Sequence, residues 1–231
     1  MIPLFLLLTW SVSSVAAQEL SDSIVHQRIS FLEKSLKSDQ KGTKQWWYSW
    51  LGLYGAATIG QGAVYFSSGE KSTRQDMALG AATTFIGVVG QFISPFQPTS
   101  FADRLTSLPA SNESERLIKM SQMEKLLAER SYIEIEARKW KAHILPTGIN
   151  LASGLVTWLG FHRTVWDGVA NFALNCVITE SQIWSQPIRA KQALKRYNEQ
   201  FGRQDLTLHR PREFNCTLIV SANGAGVRVT F

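Results

Sequence analysis

Cysteine and histidine are scarce in this sequence of 231 residues, and neither residue type forms a recognisable site. The two cysteines, Cys176 and Cys216, are too few for a disulfide framework and provide no CxxC zinc pair, so we expect two free thiols. The four histidines are scattered without HExxH or HxH spacing. The sequence therefore argues against a bound metal ion.

Catalytic and nucleotide-binding motifs are missing as well. The sequence contains no GxSxG elbow, no P-loop and no dinucleotide-binding fingerprint. The glycines between Gly52 and Gly62 follow a tryptophan-rich run inside an apolar stretch, and no strand precedes them as a phosphate-binding turn requires. We therefore expect a protein without enzymatic activity and without a cofactor.

Charge is also sparse, because only 18% of the residues are charged whereas 45% are apolar. The apolar residues concentrate in four stretches of about 20 residues, the length that a helix needs to cross a bilayer. These stretches are 46–66, 77–96, 143–161 and 165–185. The first opens with Trp46, Trp47, Tyr48 and Trp50, an aromatic run typical of the headgroup level. The pattern predicts four membrane-spanning helices.

The four stretches form an internal repeat. A shift of 91 residues places Gly69, Thr73, Asp76, Ala82, Gln91 and Ser94 on Gly160, Thr164, Asp167, Ala173, Gln182 and Ser185. In each copy the glycine is expected to end one helix and the Thr-x-x-Asp pattern to cap the next. We therefore predict two homologous helical hairpins, 46–96 and 143–187, with their tips on the same side.

Small residues recur at four-residue spacing in these stretches, as at Gly52, Ala56 and Gly60, and at Gly80 and Thr84. In water a helical glycine costs about 1 kcal/mol relative to alanine, whereas in lipid small residues let helices approach closely. The pattern favours a membrane bundle that self-associates through these faces. A soluble or peripheral periplasmic helical protein is the alternative, because the second and fourth stretches are only marginally apolar.

Polar segments precede and connect the hairpins. Residues 18–45 are predicted to form an amphipathic helix, since their apolar residues recur at helical spacing. Residues 97–142 are predicted to be a charged connector. Its helix opens at a capping box, Asn112-x-x-Glu115, and is expected to run to about Lys141.

The last segment, 188–231, is predicted to contain an amphipathic helix that ends at Gly202 and a small β-hairpin around Asn223 and Gly224. The hairpin is expected to pack on the helices. The expected fold class is therefore mainly α, a four-helix membrane bundle of two repeated hairpins with amphipathic helices and a C-terminal β-hairpin.

Residues 1–17 resemble a signal peptide, with Val15 and Ala17 at the positions that signal peptidase reads. Cleavage before Gln18 would place the polar segments in the bacterial periplasm. The charge distribution predicts the opposite orientation, because 21 Lys and Arg lie in the polar segments and three at the tips. The cleavage signal is the more specific of the two, so we expect an inner-membrane protein with periplasmic polar segments. An uncleaved anchor would reverse this orientation.

The formal net charge is +6, and acidic residues are interleaved with the basic ones, unlike a nucleic-acid surface. Basic residues cluster beside the apolar stretches, which predicts anionic lipid headgroups as partners. These residues are Lys41, Lys44, Arg138, Lys139, Lys141, Arg189 and Lys191.

Polar side chains share one face of the fourth stretch. At 100° per residue, four of them fall within about 80° of each other: Asp167, Asn171, Asn175 and Gln182. Because polar groups inside a membrane are costly and often functional, this stripe is a candidate site for a polar solute or ion. Hydrogen bonding to the small-residue face around Gly80 and Thr84 is the reading that we favour.

Glu180 points away from that stripe and lies close to the end of its helix. The antiparallel register of the second hairpin brings it near His143. We therefore predict a Glu180–His143 pair at the interface.

The order of these parts, together with Ser-Gln-Ile-Trp-Ser-Gln-Pro at 181–187, resembles uncharacterised small bacterial envelope proteins. The resemblance implies no known activity. The leading expectation is a non-enzymatic envelope interaction or scaffold protein. A small transporter or channel component that uses the polar stripe is the alternative.

Overall fold

A computed structural model of the chain describes residues 22–97 and 99–202, and the backbone of residues 215–221 and 224–230. This part of the chain is mainly helical, which confirms the predicted fold class at that level. Its helices are α1 Asp22–Ser67, α2 Lys71–Ile93, α3 Phe101–Thr106, α4 Glu113–Glu136, α5 Trp140–Leu155 with a π-helical continuation Val156–Gly160, α6 Val165–Trp184 and α7 Arg189–Phe201. The predicted signal peptide, 1–17, lies outside the described residues.

Helix α1 runs for 46 residues without a break, a length of about 69 Å at 1.5 Å per residue. The sequence analysis divided this region at residue 46, where the charged residues end. At this residue the surface of the helix changes from charged to uncharged. The helix does not turn there, since no proline interrupts it. One rigid element therefore belongs to two different parts of the molecule.

The first part, which we call the base, contains residues 22–45 of α1 together with α3, α4 and α7. Its core is apolar and closely packed, with Leu32, Leu36, Met123 and Leu127 fully buried. Tyr197 of α7 is also fully buried against this core. The base therefore has the ordinary organisation of a small soluble helical bundle.

The second part consists of two helical hairpins. The first hairpin is formed by residues 46–67 of α1 and by α2, and the second by α5, its π-helical continuation and α6. Short connections make sequential helices antiparallel neighbours. The hairpins touch through α2 and α5, and the Tyr54 hydroxyl donates to Gln182 Oε1 at 2.9 Å. They therefore lie side by side.

The two tips differ in their capping. In the second hairpin Thr164 is the N-cap of α6, and Thr164 and Asp167 form the predicted capping box. In the first hairpin the prediction is wrong, because α2 begins at Lys71 with Glu70 as N-cap, so Thr73 and Asp76 lie inside the helix. Nothing between Lys71 and Arg74 breaks a helix, which lets α2 start one turn earlier.

The link before α6 also differs from the expected glycine stop. Gly160 is the last residue of the π-helical segment, and the residue with left-handed backbone is His162, at φ 54°. The turn is then made by His162 and not by the glycine that the repeat pattern indicates.

Helix α4 begins where predicted, with Asn112 as N-cap accepting a 2.8 Å hydrogen bond from the Glu115 backbone N–H. It ends at Glu136 and not near Lys141, and α5 begins at Trp140. Helix α7 ends at Gly202, whose φ of 66° suits glycine. Helices α4 and α5 are thus separated by a three-residue link.

The C-terminal strands β1 (Asn215–Ser221) and β2 (Gly224–Thr230) pair antiparallel, with Ser221 opposite Gly224. Phe231 and the turn residues 222–223 lie outside the described residues. That this hairpin packs on the helices stays a prediction.

Candidate functional site

Polar side chains fill the interface between the two helices of the second hairpin. Asn150 and Ser153 of α5 are each only 3% exposed. The Asn150 amide donates to Thr179 Oγ1 at 2.9 Å, and the Ser153 hydroxyl donates to Asn171 Oδ1 at 2.7 Å. Asn175 donates to the same Asn171 oxygen at 3.0 Å. These groups therefore satisfy each other within one hairpin.

Two glycines allow this close approach. A Cβ placed on Gly154 would lie 2.7 Å from the backbone oxygen of Gly168, and a Cβ on Gly168 would lie 2.7 Å from that of Gly154. Real Cβ atoms do not approach oxygen so closely. The two helices thus cross at a glycine pair, directly after Ser153, and the backbones touch there.

The predicted partner of the polar stripe is wrong. Thr84 and Gly80 face α1, where the Thr84 hydroxyl lies 2.8 Å from that of Thr58 and the Gly80 face meets Gln61. Asn171 and Asn175 of the stripe instead bond to Ser153 of α5, their sequential neighbour. Short connections decide this, because each helix packs first against the helix that directly precedes it.

The four stripe residues do not form one site. Asn171 and Asn175 lie together in the hairpin interior. Asp167 lies at the tip, where it accepts from the Thr164 hydroxyl at 2.8 Å. Gln182 lies at the opposite end of α6 and accepts from Tyr54. The stripe is therefore distributed over three separate contacts along the length of the helix.

The structure brings His143 and Glu180 together. Nδ1 of His143 lies 2.7 Å from Oε1 of Glu180, and the Trp184 indole donates to the other carboxylate oxygen at 3.0 Å. The His143 ring also packs near Trp184, with ring centroids 5.9 Å apart. The Glu180 carboxylate thus has two side-chain partners at the base end of the second hairpin.

At the tips, Arg163 joins the two hairpins. Its guanidinium lies 3.4 Å from Asp76 Oδ2 and 3.4 Å from Asp167 Oδ2. These two carboxylates are 91 residues apart, the shift of the predicted repeat. One arginine therefore bridges a carboxylate from each hairpin at the end remote from the base.

Aromatic side chains define the level at which the base meets the hairpins, which we call the junction. Trp46 and Trp50 both donate to Ser185 Oγ, at 3.1 and 3.0 Å. Trp47 donates to the Gln91 carbonyl at 2.8 Å, and the Gln91 side chain is fully buried. Gln91 lies near the end of α2 and Ser185 follows the end of α6, so the second helix of each hairpin ends at this level.

The outer surfaces of the hairpins are apolar. Phe66 is 86% exposed, Ile59 75%, and Val177 64%. Large apolar side chains are exposed on all four hairpin helices: Leu53, Ile59, Val64 and Phe66; Phe85, Ile86, Val89, Phe92 and Ile93; Ile144, Leu145, Leu151, Leu155, Trp158 and Leu159; Val165, Trp166, Val169, Leu174 and Val177. So large a contiguous apolar surface is characteristic of a protein or membrane interface.

The base contains buried charges that the sequence analysis missed. Arg130 forms a 2.9 Å ion pair with Asp39, which is fully buried, and donates to Thr43 Oγ1 at 3.0 Å. Spacing could have indicated this pair, since Asp39 lies on the same face of α1 as Leu32 and Leu36. A buried ion pair acts as a positional constraint more than as a source of net stability.

Two further charges hold the ends of α7. Both carboxylate oxygens of Glu134 accept from the helix N-terminus, from Ala190 N–H at 3.1 Å and Lys191 N–H at 2.7 Å. At the other end Arg28 donates to the Phe201 carbonyl at 3.0 Å. An acid at the N-terminus and a base at the C-terminus match the helix dipole. Burial raises the pKa of Glu134 to about 7.

Among the described residues, no group of three or more His, Cys, Asp or Glu side chains could hold a metal ion. One described helix, α2, is long and apolar enough to cross a membrane by length and composition. Comparison with protein families, curated proteins and solved structures finds no match to this chain.

Proposed function

We propose that this chain is an integral protein of the bacterial inner membrane, whose two hairpins lie in the bilayer and whose base lies on one face of it. The observation that carries the proposal is the inverted burial of the second hairpin. Asn150, Ser153 and Thr157 point inward, whereas the large apolar residues point outward. In water this arrangement would expose the large apolar side chains to solvent. In lipid those side chains contact acyl chains, while the inward polar side chains hydrogen-bond to each other.

Of the described helices, α2 has both the length and the apolar composition of a span, although four helices share the apolar exterior. Helix α5 has only 16 residues before its π-helical continuation, and α6 carries Asn171, Asn175 and Glu180, which lower its average apolarity. The two asparagines lie inside the hairpin, and Glu180 pairs with His143 at the base end. The Trp residues at the junction and Arg163 at the tips then mark the two bilayer surfaces. This is the arrangement of two spans for each repeat copy.

The role that fits best is a non-enzymatic interaction or scaffold protein with the base in the periplasm. The base has a closed apolar core and a charged outer surface, which suits a folded module held near the membrane. The alternative, a transporter or channel component, would need the polar stripe to be open to a solute. The stripe amides instead bond to Ser153 and to each other.

Membrane integration is tested by extracting membranes that contain the full chain with alkaline carbonate and then with detergent. An integral protein stays in the membrane pellet in carbonate and is released only by detergent. Purified protein that stays monodisperse in buffer without any amphiphile would overturn the proposal. Protease treatment of spheroplasts then decides the side, since a periplasmic base exposes the 97–142 connector to cleavage.

Packing and transport are separated by alanine substitution of Asn171 and Asn175. If the stripe holds the hairpin together, the double variant loses thermal stability in detergent. If the stripe conducts a solute, the variant keeps its stability and loses flux in reconstituted vesicles. Unaltered stability with altered flux would overturn the packing role.

A further inference from the structure

We propose that the junction binds the headgroups of anionic phospholipids through a set of lysine side chains, which we call the collar: Lys41, Lys44, Lys141 and Lys191. This inference rests on the proposed membrane insertion and names the lipid class that the base-side surface recognises. It depends on three properties of the junction. The four lysines lie at one level, they form no ion pairs with described residues, and exposed aromatic side chains lie beside them.

The collar lysines come from three separate chain segments that meet at one level. Arg189 of α7 reaches α1, where it donates to the Ser38 carbonyl at 3.0 Å. Glu134 binds the Lys191 backbone N–H at 2.7 Å. Lys191 therefore lies beside the last turn of α4, while Lys41 lies one turn beyond Ser38 on α1.

The α5 side of the junction is held to the same level by Arg138. Its guanidinium donates to the Trp184 carbonyl at 2.9 Å and to the Gln186 carbonyl. Lys141 follows Arg138 by three residues, at the start of α5. The four lysines thus surround the point where the apolar hairpins leave the base.

The collar charges are free within the described residues. Lys41, Lys141 and Lys191 are exposed, and none of the four lysines takes part in an ion pair with a described residue. The acids nearby are engaged elsewhere, since Glu136 pairs with Lys139 and Glu180 with His143. The local charge at this level is therefore positive.

Exposed aromatic residues accompany the lysines. Trp140 is 68% exposed and adjoins Lys141, Trp184 is 61% exposed, and Tyr48 is 59% exposed. In water such exposure leaves much of the apolar ring surface in contact with solvent, whereas at the headgroup level rings and lysines have complementary partners. Lysine beside an anionic leaflet gains from the negative surface potential, and the exposed aromatic rings fix the depth. Phosphate-bearing anionic lipids therefore match both features.

The test uses the full chain reconstituted into vesicles of phosphatidylcholine and phosphatidylglycerol. Energy transfer from the native tryptophans, which include Trp140 and Trp184 at the collar, is measured to dansyl-labelled phosphatidylglycerol or dansyl-labelled phosphatidylcholine. Since one lysine near an anionic surface contributes a factor of about five, we expect the four collar lysines together to give a preference for the anionic probe well above fivefold. The preference should fall as sodium chloride is added.

The deciding variant is Lys41→Gln, Lys141→Gln and Lys191→Gln in one chain, for which we expect the preference to fall to about fivefold or less, the contribution of the remaining Lys44. Its matched control is Lys34→Gln, Lys125→Gln and Lys195→Gln, which removes the same charge from exposed lysines of the base away from the junction. The control should keep the wild-type preference. An equal loss of the preference in both variants, or no loss in the collar variant, would overturn the proposed role of the collar.

Failure of the collar is distinguishable from failure of membrane insertion. A chain that resists carbonate extraction but shows no preference for the anionic probe is inserted and has no headgroup selectivity, which overturns only this inference. A chain that carbonate releases overturns the proposed function and the collar together. Carbonate extraction of each variant is therefore measured beside the energy transfer.

Discussion

In the base, the side chains at the helix contacts are apolar, as at Leu32, Leu36 and Met123, whereas in the second hairpin they are Asn150, Ser153 and Thr157. The outer surfaces differ in the opposite sense, with lysines and glutamates on the base and Phe, Leu, Val and Trp on the hairpins. The same chain thus uses two packing chemistries, and α1 passes from the base to the first hairpin within one helix. This difference is the one that the proposed insertion of the hairpins into a bilayer requires.

The largest expected effect comes from placing a charge on the apolar exterior. Val177 lies on the outer face of α6, seven residues before its last residue, at 64% exposure, and the substitution is Val177→Lys. In a bilayer a lysine near the middle of a span costs about 3 kcal/mol. We expect impaired membrane integration, measured by carbonate resistance and by thermal unfolding in detergent.

The control for that substitution is Ile118→Lys, on an apolar residue of the base with 55% exposure. A surface change of this kind in water stays within about 0.5 kcal/mol. If both lysine variants are tolerated equally, the two surfaces face the same solvent and the comparison between base and hairpin fails.

The buried acid of the base predicts a pH dependence. Burial raises the pKa of Glu134 from 4.5 to about 7, so the folded state holds the proton more tightly than the unfolded chain. Its contribution to stability is complete below pH 4.5 and is lost as the pH rises through about 7, a loss of about 3 kcal/mol. Thermal unfolding across this range should show the decline.

Glu134→Gln removes the ionisation and should flatten that part of the pH profile. The variant keeps one oxygen to accept from the N-terminus of α7, so the base is expected to fold. A profile that declines as steeply in Glu134→Gln as in the wild type would assign the dependence to another group.

The glycine contact of the second hairpin predicts a loss of about 1–3 kcal/mol for Gly154→Ala, because the new Cβ would meet the Gly168 carbonyl at 2.7 Å. Gly148→Ala is the matched control on the same helix, since no atom lies within 4 Å of its Cβ position. It should stabilise α5 by up to about 1 kcal/mol. Thermal unfolding in detergent measures the stability of both variants. An equal loss of stability in the two variants would contradict the glycine contact.

The smallest effect is expected at the tips, where the carboxylates that contact Arg163 are partly exposed. Asp167→Asn should destabilise more than Asp76→Asn, because Asp167 also caps the backbone N–H of Thr164 at 3.1 Å. A double-mutant cycle with Arg163→Gln measures each contact separately. Identical effects of the two asparagine variants would contradict the asymmetric capping of the two copies.

Local sequence patterns predicted many helix ends, because caps and stop signals act within a few residues. Asn112 and Glu115 begin α4, Thr164 and Asp167 begin α6, and Gly202 ends α7. The contact between His143 and Glu180 follows from antiparallel register, which a short connection determines. In the first hairpin the same Thr-x-x-Asp pattern is not a cap. The residues just before Thr73 are compatible with a helix, so α2 begins at Lys71.

The polar stripe shows what spacing does not determine. The sequence indicates that Asn171 and Asn175 share a face with Asp167 and Gln182, but it does not indicate which helix lies opposite. The structure pairs the asparagines with Ser153 and pairs Gln182 with Tyr54. One face of a helix can meet several neighbours along its length, so a shared face is not evidence for a shared site.

By itself, the sequence determined the mainly helical fold, several caps and the existence of two apolar hairpins, since these depend on local propensity and on the period of apolar residues. Only the tertiary structure decided that α1 is continuous, that Glu134 and Arg28 hold the two ends of α7, and that Arg163 joins Asp76 to Asp167. These contacts join residues distant in sequence, and their geometry follows from how whole helices pack. No local pattern contains that information.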